Sequence, residues 1–209
     1  MAQGVKDWLK EDPEFADWVA PFQEDNIYLP IDSGLDDLSK EAIWSVSSAK
    51  IGNGVEKLRD GRVDTFWQSD STLPHVINIQ FNSRKRVSEV RLFLDYRYDE
   101  SYTPQKIAIR AGNYFRDLED ILQKELSEPQ GWVRIPLCEE DLSQDSSSKL
   151  VSFFRVALLQ IVILANHQSG KDTHVRQVQV VGFRNREKEK LFNQPNFQTI
   201  DFLAYQYLR

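Results

Sequence analysis

Cysteine is nearly absent from this chain: Cys138 is the single one in 209 residues, accompanied by one methionine and three histidines. One thiol cannot close an internal disulfide and cannot supply the paired-cysteine spacing of a structural zinc site. Following Pro136 and Leu137 with no basic neighbour in sequence, Cys138 reads as a structural or incidental thiol. His167 and His174 stand seven positions apart with no cysteine near them, which makes metal a weak reading. Walker loops, G-x-S-x-G elbows and H-E-x-x-H helices are missing as well, so the common nucleotide-binding, serine-hydrolase and zinc-protease patterns are excluded. No apolar run approaches the roughly 18 residues of a membrane-spanning helix. The opening Met-Ala-Gln-Gly-Val-Lys-Asp-Trp lacks an apolar signal core, so the expected location is the nucleus and cytoplasm rather than an oxidising compartment. A basic excess is lacking too. The net charge is −6, and nucleic acid is not expected as a partner.

What is present is ordinary globular material, 41% hydrophobic and 28% charged, enough for one domain with tails. The acidity is local. Residues 1–40 hold ten acids against three lysines, for a net −7, and the remainder is close to neutral. That contrast separates an acidic helical leader (1–40) from a body (41–183) and a tail (184–209). In the leader, Val5, Trp8, Leu9 and then Phe15, Trp18, Val19 recur at helical spacing, interrupted by Pro13. Residues 23–40 read as an acidic linker, with a turn at Asp32-Ser33-Gly34 and one helical turn from Leu35. The tail passes through a charged run at 184–190 to an end rich in aromatic and aliphatic residues, Leu208-Arg209 last, and is expected to be a flexible docking peptide.

From Trp44 the texture becomes short alternating runs between turn signals. Ile77, Ile79 and Phe81 share one side of the run from His75 to Phe81, and Val90, Leu92 and Leu94 share one side of the next. Lys106 to Ala111, Trp132 to Leu137, Phe153 to Leu164 and Val175 to Phe183 predict further strands. Phe115 to Leu126 fits a helix or an irregular strand, and residues 141–149 form a Ser-rich excursion. The nearly continuous apolar run from Val156 to Leu164 predicts a central strand covered on both faces. Short strands without βα alternation indicate an all-β protein, a β-sandwich of jelly-roll type.

Three polar stretches are expected to meet at one end of that sandwich: Trp67 to Asp70, Asp95 to Pro104 and Asn166 to Arg176. Their mixture of tyrosine, amide, hydroxyl and carboxylate groups is the composition of a recognition surface. A carbohydrate-binding jelly roll, with loop aromatics stacking on sugars, is the alternative of another class. A hydrolase using His167 or His174 with Asp172 is a third.

At these residues the chain resembles the DOC domain family of the anaphase-promoting complex. The likeness runs from about Glu41 to Val181 and rests on Ala42-Ile43-Trp44-Ser45-Val46, Leu58-Arg59-Asp60, Thr65-Phe66-Trp67-Gln68-Ser69-Asp70, Asn78-Ile79-Gln80-Phe81, Gly131-Trp132, Asp99-Glu100-Ser101-Tyr102-Thr103-Pro104, Ala165-Asn166-His167-Gln168 and Asp172-Thr173-His174. The resemblance implies a galactose-binding-domain-like jelly roll. It also implies a non-catalytic substrate-recognition and processivity subunit of that cullin-RING-type ubiquitin ligase, with no cofactor. The implied partners are a β-propeller coactivator, destruction-box substrates such as cyclins, and a tetratricopeptide scaffold subunit. The implied degron-binding residues are Asp99, Glu100, Ser101, Tyr102, Asn166, His167, Gln168, Asp172 and His174. Family members often end in Ile-Arg, which docks on the scaffold; here Leu208 and Arg209 hold those places.

Overall fold

In a computed structural model of the chain, residues 19–20, 29–137, 139–140, 151–152 and 154–183 are described. The expected leader helices up to Trp18, Cys138, the Ser-rich excursion at 141–149, and the tail with Leu208 and Arg209 lie outside the described residues.

Alternating side chains produce thirteen strands among the described residues, running β1 (Val19–Ala20), β2 (Leu35–Asp37), β3 (Ala42–Val46), β4 (Trp67–Gln68), β5 (His75–Asp95), β6 (Pro104–Gly112), β7 (Glu119–Glu125), β8 (Gln130–Pro136), β9 (Glu139–Glu140), β10 (Val151–Ser152), β11 (Phe154–Asn166), β12 (His174–Val175) and β13 (Gln177–Phe183). Nine of them form one antiparallel hydrogen-bonded system, and β5 joins its two halves. The first part of β5 lies between β3 and β11, with β6 and β7 beyond. The second part lies between β13 and β8, with β2 and β1 beyond. Ile77, Ile79, Ile109 and Ile161 from one half and Val90, Leu92, Ile135 and Val180 from the other share the buried core of this jelly roll. Their alternation predicts that arrangement, because residues two apart in a strand face the same side.

β11 is central as expected, paired to β5 on one side and β6 on the other. The two strands expected at His75–Phe81 and Val87–Tyr96 are instead one strand of 21 residues. The polar run between them bulges where the chain turns back, and its inward lysine, Lys85, is neutralised by Glu41. The ambiguous segment ends as strand β7, paired to β6 after a turn in which the Asp117 carboxylate accepts from the N–H groups of Asn113 and Tyr114 at 2.9 and 2.6 Å. Two expectations need correction. Val19 lies in β1, paired to Val133, and not at a helical position. Leu35 to Asp37 is a strand paired to β13, where a helical turn was expected; that turn starts only at Leu38, after Asp37 caps it by accepting from Ser39 N–H at 2.9 Å.

Candidate functional site

β5 ends at Asp95, whose carboxylate accepts from the N–H of Arg97 at 3.2 Å and so starts the helical turn Tyr96–Asp99. A second turn, Glu100–Tyr102, follows, and the reversal needs a left-handed φ of 42° at Glu100. β11 ends at Asn166. The turn His167–Ser169 continues from it with φ of 52° at Gln168 and 58° at Ser169. Left-handed backbone at non-glycine residues costs of order 1 kcal/mol each and gathers at functional sites. Glycine would relieve that strain, so the side chains of Glu100, Gln168 and Ser169 offer something a bare backbone does not.

The two loops interlock. His167 N–H donates to Thr103 O at 2.9 Å, and Thr173 Oγ1 donates to Tyr102 O at 3.2 Å. A Cβ at Gly170 would sit 1.8 Å from Ser101 O, so the chains touch backbone to backbone. Asn166, buried, donates from Nδ2 to the carbonyls of Gly170 and Asp172 at 3.2 and 2.9 Å and closes the loop on itself. The stretch Trp67 to Asp70 joins as expected: β4 pairs with β12, and Ser69 Oγ accepts from Thr173 N–H at 2.8 Å. His75, buried at the start of β5, places Nε2 2.6 Å from Lys171 O.

Beneath the surface lies an ionic network. Asp99 is 4% exposed, and Arg176 grips it in two places, Nε to Oδ2 and Nη2 to Oδ1, both at 2.8 Å. His174 Nδ1 lies 3.0 Å from Oδ1. The His174 ring is stacked between Phe66 and Tyr102, with centroids at 4.0 and 4.3 Å. Arg176 also donates to Val63 O at 2.6 Å. Burial alone would raise the Asp99 pKa, but hydrogen bonds from His174 and Arg176 outweigh it and hold the carboxyl below the usual carboxylate range.

The nine expected binding residues therefore converge, in two tiers. Asp99, Asn166, His167 and His174 are buried; Glu100 and Gln168 are exposed, Tyr102 is partly exposed, and Ser101 and Asp172 are half-buried. Arg176, Phe66 and Ser69 complete the site, although none was among the nine expected binding residues. Arg176 was legible through its spacing, since His174 and Arg176 are two apart in an extended segment and must face the same way. Beside the network, Phe93, Asp95, Arg97, Tyr98, Gln130 and Arg176 line a cavity of about 530 Å³. Among the described residues, no three of His, Cys, Asp and Glu gather as a metal group would require.

Similarity over most of the chain decides its kinship. The family model for anaphase-promoting complex, subunit 10 (APC10) matches residues 23–207. The chain belongs to the anaphase-promoting complex subunit 10 family. The human anaphase-promoting complex subunit 10 is 42% identical over 173 residues, spanning 83% of this chain and 88% of that one. The Dictyostelium discoideum subunit is 42% identical over 186 residues, 89% of this chain and 93% of its own. The Saccharomyces cerevisiae anaphase-promoting complex subunit DOC1 is 33% identical over 66% of this chain and 53% of its own. Among solved structures, the family 32 CBM from Clostridium perfringens NanJ in complex with galactose superposes with a TM-score of 0.55 at 13% identity, covering 70% of this chain and 98% of the module. The fucolectin of striped bass (Morone saxatilis) serum gives 0.54 at 11% identity over 71% of this chain and 48% of its own. At such low identity these two likenesses establish the jelly-roll fold of this subunit 10 family member and nothing of its ligand.

Burial lowers the pKa of His167, with Glu128 and the Leu126 carbonyl opposing in part. A histidine depressed in the folded state adds stability above its unfolded pKa, near 6.5, and loses it as the pH falls. The loop pair should thus loosen as pH drops from 7 to 5. Hydrogen-exchange protection factors of residues 166–174, referred to the intrinsic rate at each pH, should fall over that range in the native chain and change less in His167→Gln; equal pH dependence in both would sink this assignment.

Proposed function

We propose that the interlocked loops are a degron-binding face, and that family membership makes this chain a subunit of the anaphase-promoting complex, a ubiquitin ligase. Its role is substrate recognition and processivity, without an active site of its own. With a β-propeller coactivator it forms a co-receptor for destruction-box degrons of substrates such as cyclins, in the nucleus and cytoplasm. A tetratricopeptide scaffold subunit receives Leu208 and Arg209. The observation that carries the reading is the strained pair of turns, Glu100–Tyr102 and His167–Ser169, fastened to each other and offering polar groups to solvent.

The two tiers divide the work. Glu100, Ser101, Tyr102, Gln168 and Asp172 are within reach of a peptide backbone. Asp99, Asn166, His167 and His174 hold them in place, so they act as positioning residues. Gln168 Nε2 is steadied by a hydrogen bond to the Tyr96 hydroxyl at 3.1 Å.

The test is reconstitution of the complex with a coactivator and a destruction-box substrate, using Gln168→Gly and a Glu100→Ala/Asp172→Ala pair. Gln168→Gly relieves the left-handed backbone and should leave stability unchanged or up to about 1 kcal/mol higher. Both variants should assemble normally and lower substrate engagement about tenfold or more. Full degron-dependent ubiquitination by both would overturn the reading.

A further inference from the structure

β5 begins and ends beside the recognition loops, since His75 reaches Lys171 O and the turn after Asp95 delivers Asp99 to His174. Its middle, Asn82 to Arg86, therefore lies at the opposite end of the molecule. There the register with β11 jumps from the Gln80–Leu158 pair to the Lys85–Val156 pair, and Arg155 stands directly across from Arg86. Lys85 and Val87 face inward, so Arg84, Arg86 and Arg155, all exposed, project from the outer face together.

Like charges directly opposite on neighbouring strands destabilise a sheet, and here the counter-charges are already committed. Glu41 is paired to Lys85, and Glu89 is buried between Arg91 and Arg134. Among the described residues no carboxylate pairs with Arg84, Arg86 or Arg155; Arg86 rests over the Phe183 ring at 5.7 Å. Along the same edge, Leu158 is opposite Gly112, where the β6–β7 turn begins. That turn is pinned by Asp117 and holds Tyr114 and Phe115 in solvent next to the exposed Arg116. Preorganised aromatics beside uncompensated arginines are the makings of an interface anchor.

We propose that this pole is a docking surface for an acidic segment of a neighbouring protein, distinct from the degron-binding face. An acidic polypeptide fits better than nucleic acid. The basic area is a short cluster on two strands, not a stripe able to follow a phosphate backbone. The neighbour would supply carboxylates that no described residue gives these arginines, with the aromatic pair as apolar contact.

The experiment uses the full chain and a labelled polyglutamate peptide, with an oligonucleotide of equal charge as comparison. The peptide should bind, more weakly as salt rises. Arg84→Glu/Arg86→Glu/Arg155→Glu should weaken it about tenfold or more and gain binding to a polylysine peptide. A milder Arg→Gln triple, with near-ultraviolet circular dichroism as the folding check, gives the same loss without charge reversal. The proposal is overturned if the peptide does not bind, if it binds native and variant chains alike, or if the oligonucleotide binds more tightly than the peptide.

Discussion

Replacing Arg176 by methionine is expected to destabilise the folded chain by about 3–5 kcal/mol, the range found when one member of a buried ion pair is removed. Asp99 would keep its burial and lose both guanidinium contacts, leaving His174 as its remaining charge-capable partner. The Val63 carbonyl would lose its donor, and the Arg176 contact with the Phe66 ring, at 5.6 Å, would go too. Urea unfolding at neutral pH measures the loss. The sign of its pH dependence follows from the depressed Asp99 pKa: the native network contributes fully above the unfolded carboxylate value, near 3.8, and is lost as pH falls through the lower folded value. The gap between native and variant should therefore narrow in strong acid. Removing both charges, with Asp99→Leu added, should recover part of the stability, because no unpaired carboxylate is left inside. If Arg176→Met unfolds at the native urea concentration, the network is not what holds the loops.

Gly170→Ala is expected to have the second large effect, and for a reason unrelated to backbone freedom. The φ of Gly170 is −59°, open to any residue. What forbids a side chain is the Ser101 carbonyl, 1.8 Å from where a Cβ would stand. A backbone oxygen cannot rotate aside as a side chain does, so the loops must separate. Overpacking of this kind costs about 1–3 kcal/mol. Because Ser101 lies between Glu100 and Tyr102, the shift displaces the proposed contact residues together. Thermal unfolding and degron crosslinking in the reconstituted complex should both report it. An unchanged melting temperature with unchanged crosslinking would mean that the loops do not depend on touching.

These two positions mark where reading the residues stops. Spacing put Arg176 on the same side as His174; that it holds Asp99 depends on the pairing of β12 with β4. Nothing in the local sequence singles out Gly170, whose role belongs to a contact with a residue 69 positions earlier. Nine residues expected to bind a degron do meet in space, yet Asp99 and Asn166 are as polar in sequence as Gln168, and burial alone separates them.

Alternation of Ile77, Ile79 and Phe81, the apolar run of β11 and the spacing of turn residues were enough to dictate strands, the core face and a jelly roll. A strand's side chains have period two, and only one phase can be buried. Fusion of two expected strands into β5, the capture of Leu35–Asp37 by β13, and the split of the site into buried supports and exposed contacts were decided in three dimensions. Each depends on which backbone and side-chain groups find partners across the sheets, and that pairing is set by register and packing between segments far apart in the chain.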